Sequence, residues 1–130
     1  MDRAQTKAAV RLDAKDCPMS SWDNPANGSI RWQTLFSKGI TPTADMVCGL
    51  AHLAPGEDFA LHHHAEAEIY FGLDGIGQVM IDGVAYDISP GVALFIPPHA
   101  VHGIPAMQTT LRFFYVFATD SFDDINYCFV

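Results

Sequence analysis

From residue 29 onward, apolar and polar positions change places nearly every residue in short runs, each broken by Gly, Pro or Asp. A period of two marks a strand with one buried face, because successive side chains leave a strand on opposite sides. The runs predict strands over 30–36 (IRWQTLF), 45–54 (DMVCGLAHLA), 59–64 (FALHHH) and 68–73 (EIYFGL). Four more follow over 77–82 (GQVMID), 84–88 (VAYDI), 92–97 (VALFIP) and 110–119 (TLRFFYVFAT). Asp82-Gly83, between two of these runs, supplies the two residues that a tight hairpin needs at positive φ. LDGIG (73–77) and SPG (89–91) read as further turns. Nothing after residue 29 has the 3.6-residue period of an amphipathic helix of useful length. Many short strands at even spacing predict an all-β sandwich or small antiparallel barrel, which removes exposed strand edges by closing on itself.

The first 29 residues break the pattern. AQTKAAVRL (4–12) could turn into a short helix, whereas CPMSSWDNPANGS (17–29) is turn chemistry with two prolines and a glycine. The expected organisation is an irregular arm, 1–29, before one β domain, 30–130. A chain of 130 residues supports one good core. No apolar run reaches the roughly 18 residues that cross a bilayer, and the polar N-terminus lacks a secretory pattern. The expected compartment is the cytoplasm.

Charge narrows the function. The net charge of −8 argues against nucleic acid or an anionic membrane as partner. Its distribution adds more: Arg3, Lys7, Arg11, Lys15, Arg31 and Lys38 precede residue 39, and Arg112 alone follows it. A pocket built by the later strands therefore has little fixed positive charge besides that of a bound metal. Abundant aromatics there (Phe59, Phe71, Phe95, Phe113, Phe114, Tyr115, Phe117) suit a cationic onium group through cation–π contact. Cys17, Cys48 and Cys128 are odd in number and widely spaced, the pattern of free thiols.

The histidines hold the chemistry. Five of six fall in two windows, LHHHAEAEIYFG (61–72) and PPHAVHG (97–103). By strand alternation His62 and His64 share one face and His63 takes the other. Glu68 and Tyr70 likewise share a face, opposite Ile69 and Phe71. If both strands face one interior, His62, His64, Glu68 and Tyr70 converge, and His99 or His102 can join them. Three imidazoles and a carboxylate suit a first-row divalent metal such as Fe, Mn, Ni or Zn, with positions open to water or substrate. His63 is expected outside, His52 in packing or on a strand surface, and Arg112 at the surface or a barrel end. His99 is open between the pocket rim and the surface.

At these residues the sequence resembles the cupin superfamily. The first motif, G-x5-H-x-H-x3-E-x6-G, is met by Gly56, His62, His64, Glu68 and Gly75. The second, G-x5-P-x-G-x2-H-x3-N, is met by Gly91, Pro97 and His102, while His99 stands for its inner glycine and Ala106 for its asparagine. The resemblance implies an antiparallel jelly-roll barrel, commonly a homodimer, with the metal on His62, His64, Glu68 and His102. IRWQTLF, LAPGEDFALHHHAEAEIYF and LRFFYVFATDSFDDINY further resemble the short bacterial cupin lyases that split dimethylsulfoniopropionate into dimethyl sulfide and acrylate. By that likeness Tyr70 would be the base and Tyr127 a second tyrosine assisting it. The expected substrate is a small carboxylate. An Fe(II) dioxygenase, a sugar-acid isomerase or a ligand-binding cupin would use the same donors.

Overall fold

The computed structural model describes residues 8–130. Eleven strands within it form two antiparallel sheets. They are β1 (Ser20–Ser21), β2 (Arg31–Phe36), β3 (Val47–Leu53), β4 (Phe59–His63), β5 (Glu68–Gly75) and β6 (Gly77–Ile81). The rest are β7 (Val84–Ile88), β8 (Ala93–Ile96), β9 (His102–Ile104), β10 (Leu111–Phe117) and β11 (Cys128–Phe129). One sheet runs β1-β2-β3-β10-β5-β8 and the other β11-β4-β9-β6-β7. Their inner faces enclose a core that includes Val47, Leu53, Tyr70, Ile88, Ile96, Phe113 and Phe117. This is the all-β architecture expected from the strand pattern, in the jelly-roll form that the resemblance implied.

The period-two reading works best where one face meets the core and the other solvent. In β5, Glu68, Tyr70 and Gly72 are buried while Ile69 and Phe71 stand exposed. β10 alternates as cleanly, with Leu111, Phe113, Tyr115 and Phe117 turned inward. β3 does not alternate: Val47 through Ala51 are all buried. Its outer neighbour Gln33 on β2 donates from its side-chain amide to the carbonyls of Ala14 (2.7 Å) and Cys17 (3.0 Å), so the arm lies over this part of the sheet. A strand covered on both sides has no polar face to betray it.

The arm is therefore less irregular than its composition suggested. It has 3-10 turns at Ala14–Asp16 and Pro25–Asn27, and β1 pairs with β2 through Ser20 opposite Trp32 and Ser21 opposite Arg31. Part of the helix considered over 4–12 lies outside the described residues, and residues 8–12 form none. Three strands escaped the sequence pattern, β1, β9 and β11, because two or three residues are too few to display a period. Cys17, Cys48 and Cys128 are free thiols.

Turn positions explain one departure from the motifs. Gly56, Gly75 and Gly91 all have positive φ, between 78° and 89°. His99, where the second motif has glycine, also sits in the left-handed region at φ 66° and is exposed. Its backbone N–H donates to the carbonyl of His64 at 2.8 Å, so this strained residue ties the two histidine windows together. A side chain in that conformation costs about 1–2 kcal/mol, partly offset by the extra freedom glycine has when unfolded. His99→Gly keeps the backbone bond and is expected to stabilise the fold by about 0.5–1 kcal/mol, read as a higher midpoint in urea.

Candidate metal centre and its pocket

His62 on β4 and His102 on β9 are direct partners across the second sheet, and His64 follows β4 by one residue. All three are buried. Each turns its Nδ1 to a backbone carbonyl: His62 to Ala60 (2.7 Å), His64 to Glu66 (2.9 Å) and His102 to Ala100 (2.8 Å). A carbonyl only accepts, so each Nδ1 carries a proton, and a ring that stays neutral then keeps its Nε2 unprotonated. That leaves the Nε2 lone pairs free for a metal. One ligand nitrogen from each ring lies within 4.8 Å of the others. Phe59 stacks on the His62 ring at 4.1 Å and holds its orientation.

Glu68 enters from the opposing sheet. Its Oε1 lies 3.4 Å from His64 Nε2 and 3.3 Å from His102 Nε2. The Nε2 atoms of His62 and His64 are buried without a hydrogen-bond partner among the described residues. Buried nitrogens left unpaired are costly, and a cation between them would remove that cost. On this ground the histidine triad is able to bind a metal ion.

The electrostatics divide the histidines. Burial, with His102 beside it, lowers His62 to about 3, so it stays a neutral imidazole at any ordinary pH. His64 goes the other way. Burial opposes its charge, but the Glu68 carboxylate 3.4 Å away, with Glu66 adding, raises its pKa above the usual value.

Above the histidines lies a cavity of about 390 Å³, within the range of small-molecule sites. Its shape follows from the strand register. Tyr70 on β5 opposes Tyr115 on β10, which opposes Gly49 on β3, which opposes Thr34 on β2. A Cβ at Gly49 would stand 2.4 Å from the Tyr115 hydroxyl, so glycine there lets that side chain lie across the strand. In the next row Ala51 separates Phe113 from Trp32. Small residues in the middle of β3 thus leave room for aromatic ones to reach over them.

Tyr70 is 1% exposed and packs on Phe113 at 4.3 Å, with His102 at 6.3 Å. Tyr127 closes over the centre, its ring 5.6 Å from His62 and 5.3 Å from His64. Both line the cavity, as do Tyr115 and Glu68. Burial first, and the Glu68 charge second, push all three phenols well above their ordinary range. A cation beside Glu68 acts with the opposite sign.

The structure therefore brings together His62, His64, His102 and Glu68 and sets both candidate tyrosines around them. His63 is half-buried on the other face, paired with Cys128 of β11. His52 bonds to the Gln33 side chain at 2.8 Å, and Arg112 pairs with Asp74 at 3.0 Å. Neither lines the cavity. The aromatic residues divide. Phe59, Phe113 and Tyr115 line it, Phe117 belongs to the core, and Phe71 and Phe95 stand exposed on the outer face, where no pocket ligand reaches them. Among the cavity residues not read from the sequence are Trp22, Trp32, Phe122 and Asp123. Trp32 shares parity with Thr34 on β2 and was findable by alternation. The other three lie outside alternating runs and had no such signal.

Comparison with known proteins agrees with this architecture. Residues 49–117 match the family described as Cupin domain. The chain is 44% identical over 118 residues to the dimethylsulfoniopropionate lyase DddW of Ruegeria pomeroyi, covering 91% of this chain and 78% of that one. A shorter match, 30% over 66 residues, covers 51% of this chain and 32% of a 5-nitrosalicylic acid 1,2-dioxygenase of Bradyrhizobium. The polyketide cyclase RemF of Streptomyces resistomycificus superimposes with a TM-score of 0.78 at 20% identity, over 95% of this chain and 86% of its own, which speaks to the fold alone. By the family match through the barrel, and by an identity that runs along nine-tenths of its length, the chain belongs to the cupin family and is similar within it to the short bacterial dimethylsulfoniopropionate lyases.

Proposed function

We propose that this protein is a metal-dependent lyase that cleaves dimethylsulfoniopropionate into dimethyl sulfide and acrylate. The observation that carries the reading is the 44% identity to a dimethylsulfoniopropionate lyase along most of both chains. The site supports it, because the reaction needs a base beside a centre that stabilises negative charge, and no redox change. One divalent metal, held by His62, His64, His102 and Glu68, would act as a Lewis acid toward the substrate carboxylate. The identity of that metal is left to experiment among Fe, Mn, Ni and Zn.

The residues of the chain do the rest. Tyr70 takes the proton from the carbon next to the carboxylate. The C–H electron pair becomes the new C=C bond, the C–S bond breaks, and its pair leaves on sulfur as neutral dimethyl sulfide. Tyr127, over the histidine rings, shields the reacting carbon from water and helps to orient it against Tyr70. The aromatic walls exclude solvent, which strengthens each electrostatic contact inside.

Metal-loaded protein given dimethylsulfoniopropionate is expected to release dimethyl sulfide and acrylate in equal amounts, without oxygen uptake. Oxygen consumption with no dimethyl sulfide in the headspace would favour a dioxygenase, the reading that the shorter match supports.

A further inference from the structure

The cavity has an end that the elimination chemistry does not use. Its wall there is aromatic: Trp22, Trp32 and Phe122 line it, and Asp123 stands at its exposed mouth. No lysine or arginine is among the lining residues, and the only charged ones are Glu68 and Asp123. With Glu68 turned to the histidines, Asp123 is the fixed charge facing an incoming ligand. Such a wall repels anions and attracts cations, through ring faces and through the carboxylate.

Trp22 is the informative member. It comes from the arm, not the barrel, and the β1–β2 pairing brings it over the cavity. Its ring lies 5.0 Å from Trp32, 5.1 Å from Tyr127 and 5.3 Å from Phe129. Its indole Nε1 is buried with no hydrogen-bond partner among the described residues. A phenylalanine would fill a plain packing position without burying that N–H, so packing does not account for tryptophan here. What tryptophan adds is the ring face with the strongest attraction for a cation.

We propose that Trp22 and Asp123 form the cation-recognising end of this pocket and select a small onium carboxylate over its uncharged isostere. The inference rests on the lyase reading for the carboxylate at the histidine end, but not on turnover. The arm is then part of the substrate site.

The test uses ligands that do not react by loss of sulfide. Metal-loaded full-length protein is titrated calorimetrically with 3-(trimethylammonio)propionate, with its neutral isostere 4,4-dimethylpentanoate, and with propionate, which lacks the head group. The wild type is expected to bind the cation about tenfold more tightly than the isostere. Trp22→Leu should bring that ratio to about one and leave propionate unchanged, and Trp22→Phe should fall between. Asp123→Asn should weaken the cation about twofold to threefold at low salt and spare the isostere. Equal binding of cation and isostere by the wild type would overturn the proposal, as would binding of neither. So would a Trp22→Leu variant, or in its place Trp22→Phe if the leucine variant fails to fold, that weakened both ligands alike. Dimethyl sulfide release is measured separately, so a failed lyase reading and a failed recognition site give different results.

Discussion

Replacing Tyr70 by phenylalanine is expected to lower turnover of dimethylsulfoniopropionate by about 10²–10⁴-fold, the usual contribution of a positioned general base, while metal content and folding are unchanged. The side chain is 1% exposed and its ring packs on Phe113, and phenylalanine keeps that packing. Only the hydroxyl is lost. In the metal-free protein, burial and the Glu68 charge hold this phenol protonated. A cation held by Glu68 and the histidines would cancel the second of these effects and so favour the phenolate. The loss should therefore fall on kcat and spare KM, because the hydroxyl acts on the reacting proton and not on the bound carboxylate. Headspace dimethyl sulfide at saturating substrate measures it. A Tyr70→Phe protein with wild-type kcat would remove the base from Tyr70 and turn attention to Tyr127.

Changing His102 to alanine has the second large effect, on metal and fold together. Metal content, read by elemental analysis after dialysis, is expected to fall by at least about 100-fold in affinity, more than loss of an outer hydrogen-bond partner costs. Turnover should go with it. His102 is fully buried, so the variant also leaves a cavity and an unpaired Ala100 carbonyl, together costing about 2–4 kcal/mol in the metal-free protein. His63→Ala is the control. His63 has the same side chain and a neighbouring position but the opposite face, and neither metal nor activity should change. Acid should release the metal from the wild type, since protons compete for the ring nitrogens. In the metal-free protein the Glu68 carboxylate favours a proton on His64, and burial disfavours one on His62. Retained metal in the His102→Ala protein would exclude His102 as a ligand.

Much of the site was legible because strand alternation is a local rule. His62 apart from His63, and Glu68 and Tyr70 apart from Ile69 and Phe71, follow from parity, and the burial of β5 obeys it residue by residue. The same rule is silent about which strand lies beside which. The abundance of aromatic residues, unlike parity, did not separate Phe113, which lines the cavity, from Phe71 and Phe95, which face outward, because composition counts residues without placing them.

Local pattern was enough for the strands with one wet face, the two histidine windows, and the faces taken by His62, His63, His64, Glu68 and Tyr70. Those depend on neighbours one or two residues away. Tertiary contacts set His102 against His62, close Tyr127 over them, and bring Trp22 from the arm to become a wall. Those contacts join residues far apart in the chain, through sheet register and close approach at Gly49, and no local period records them.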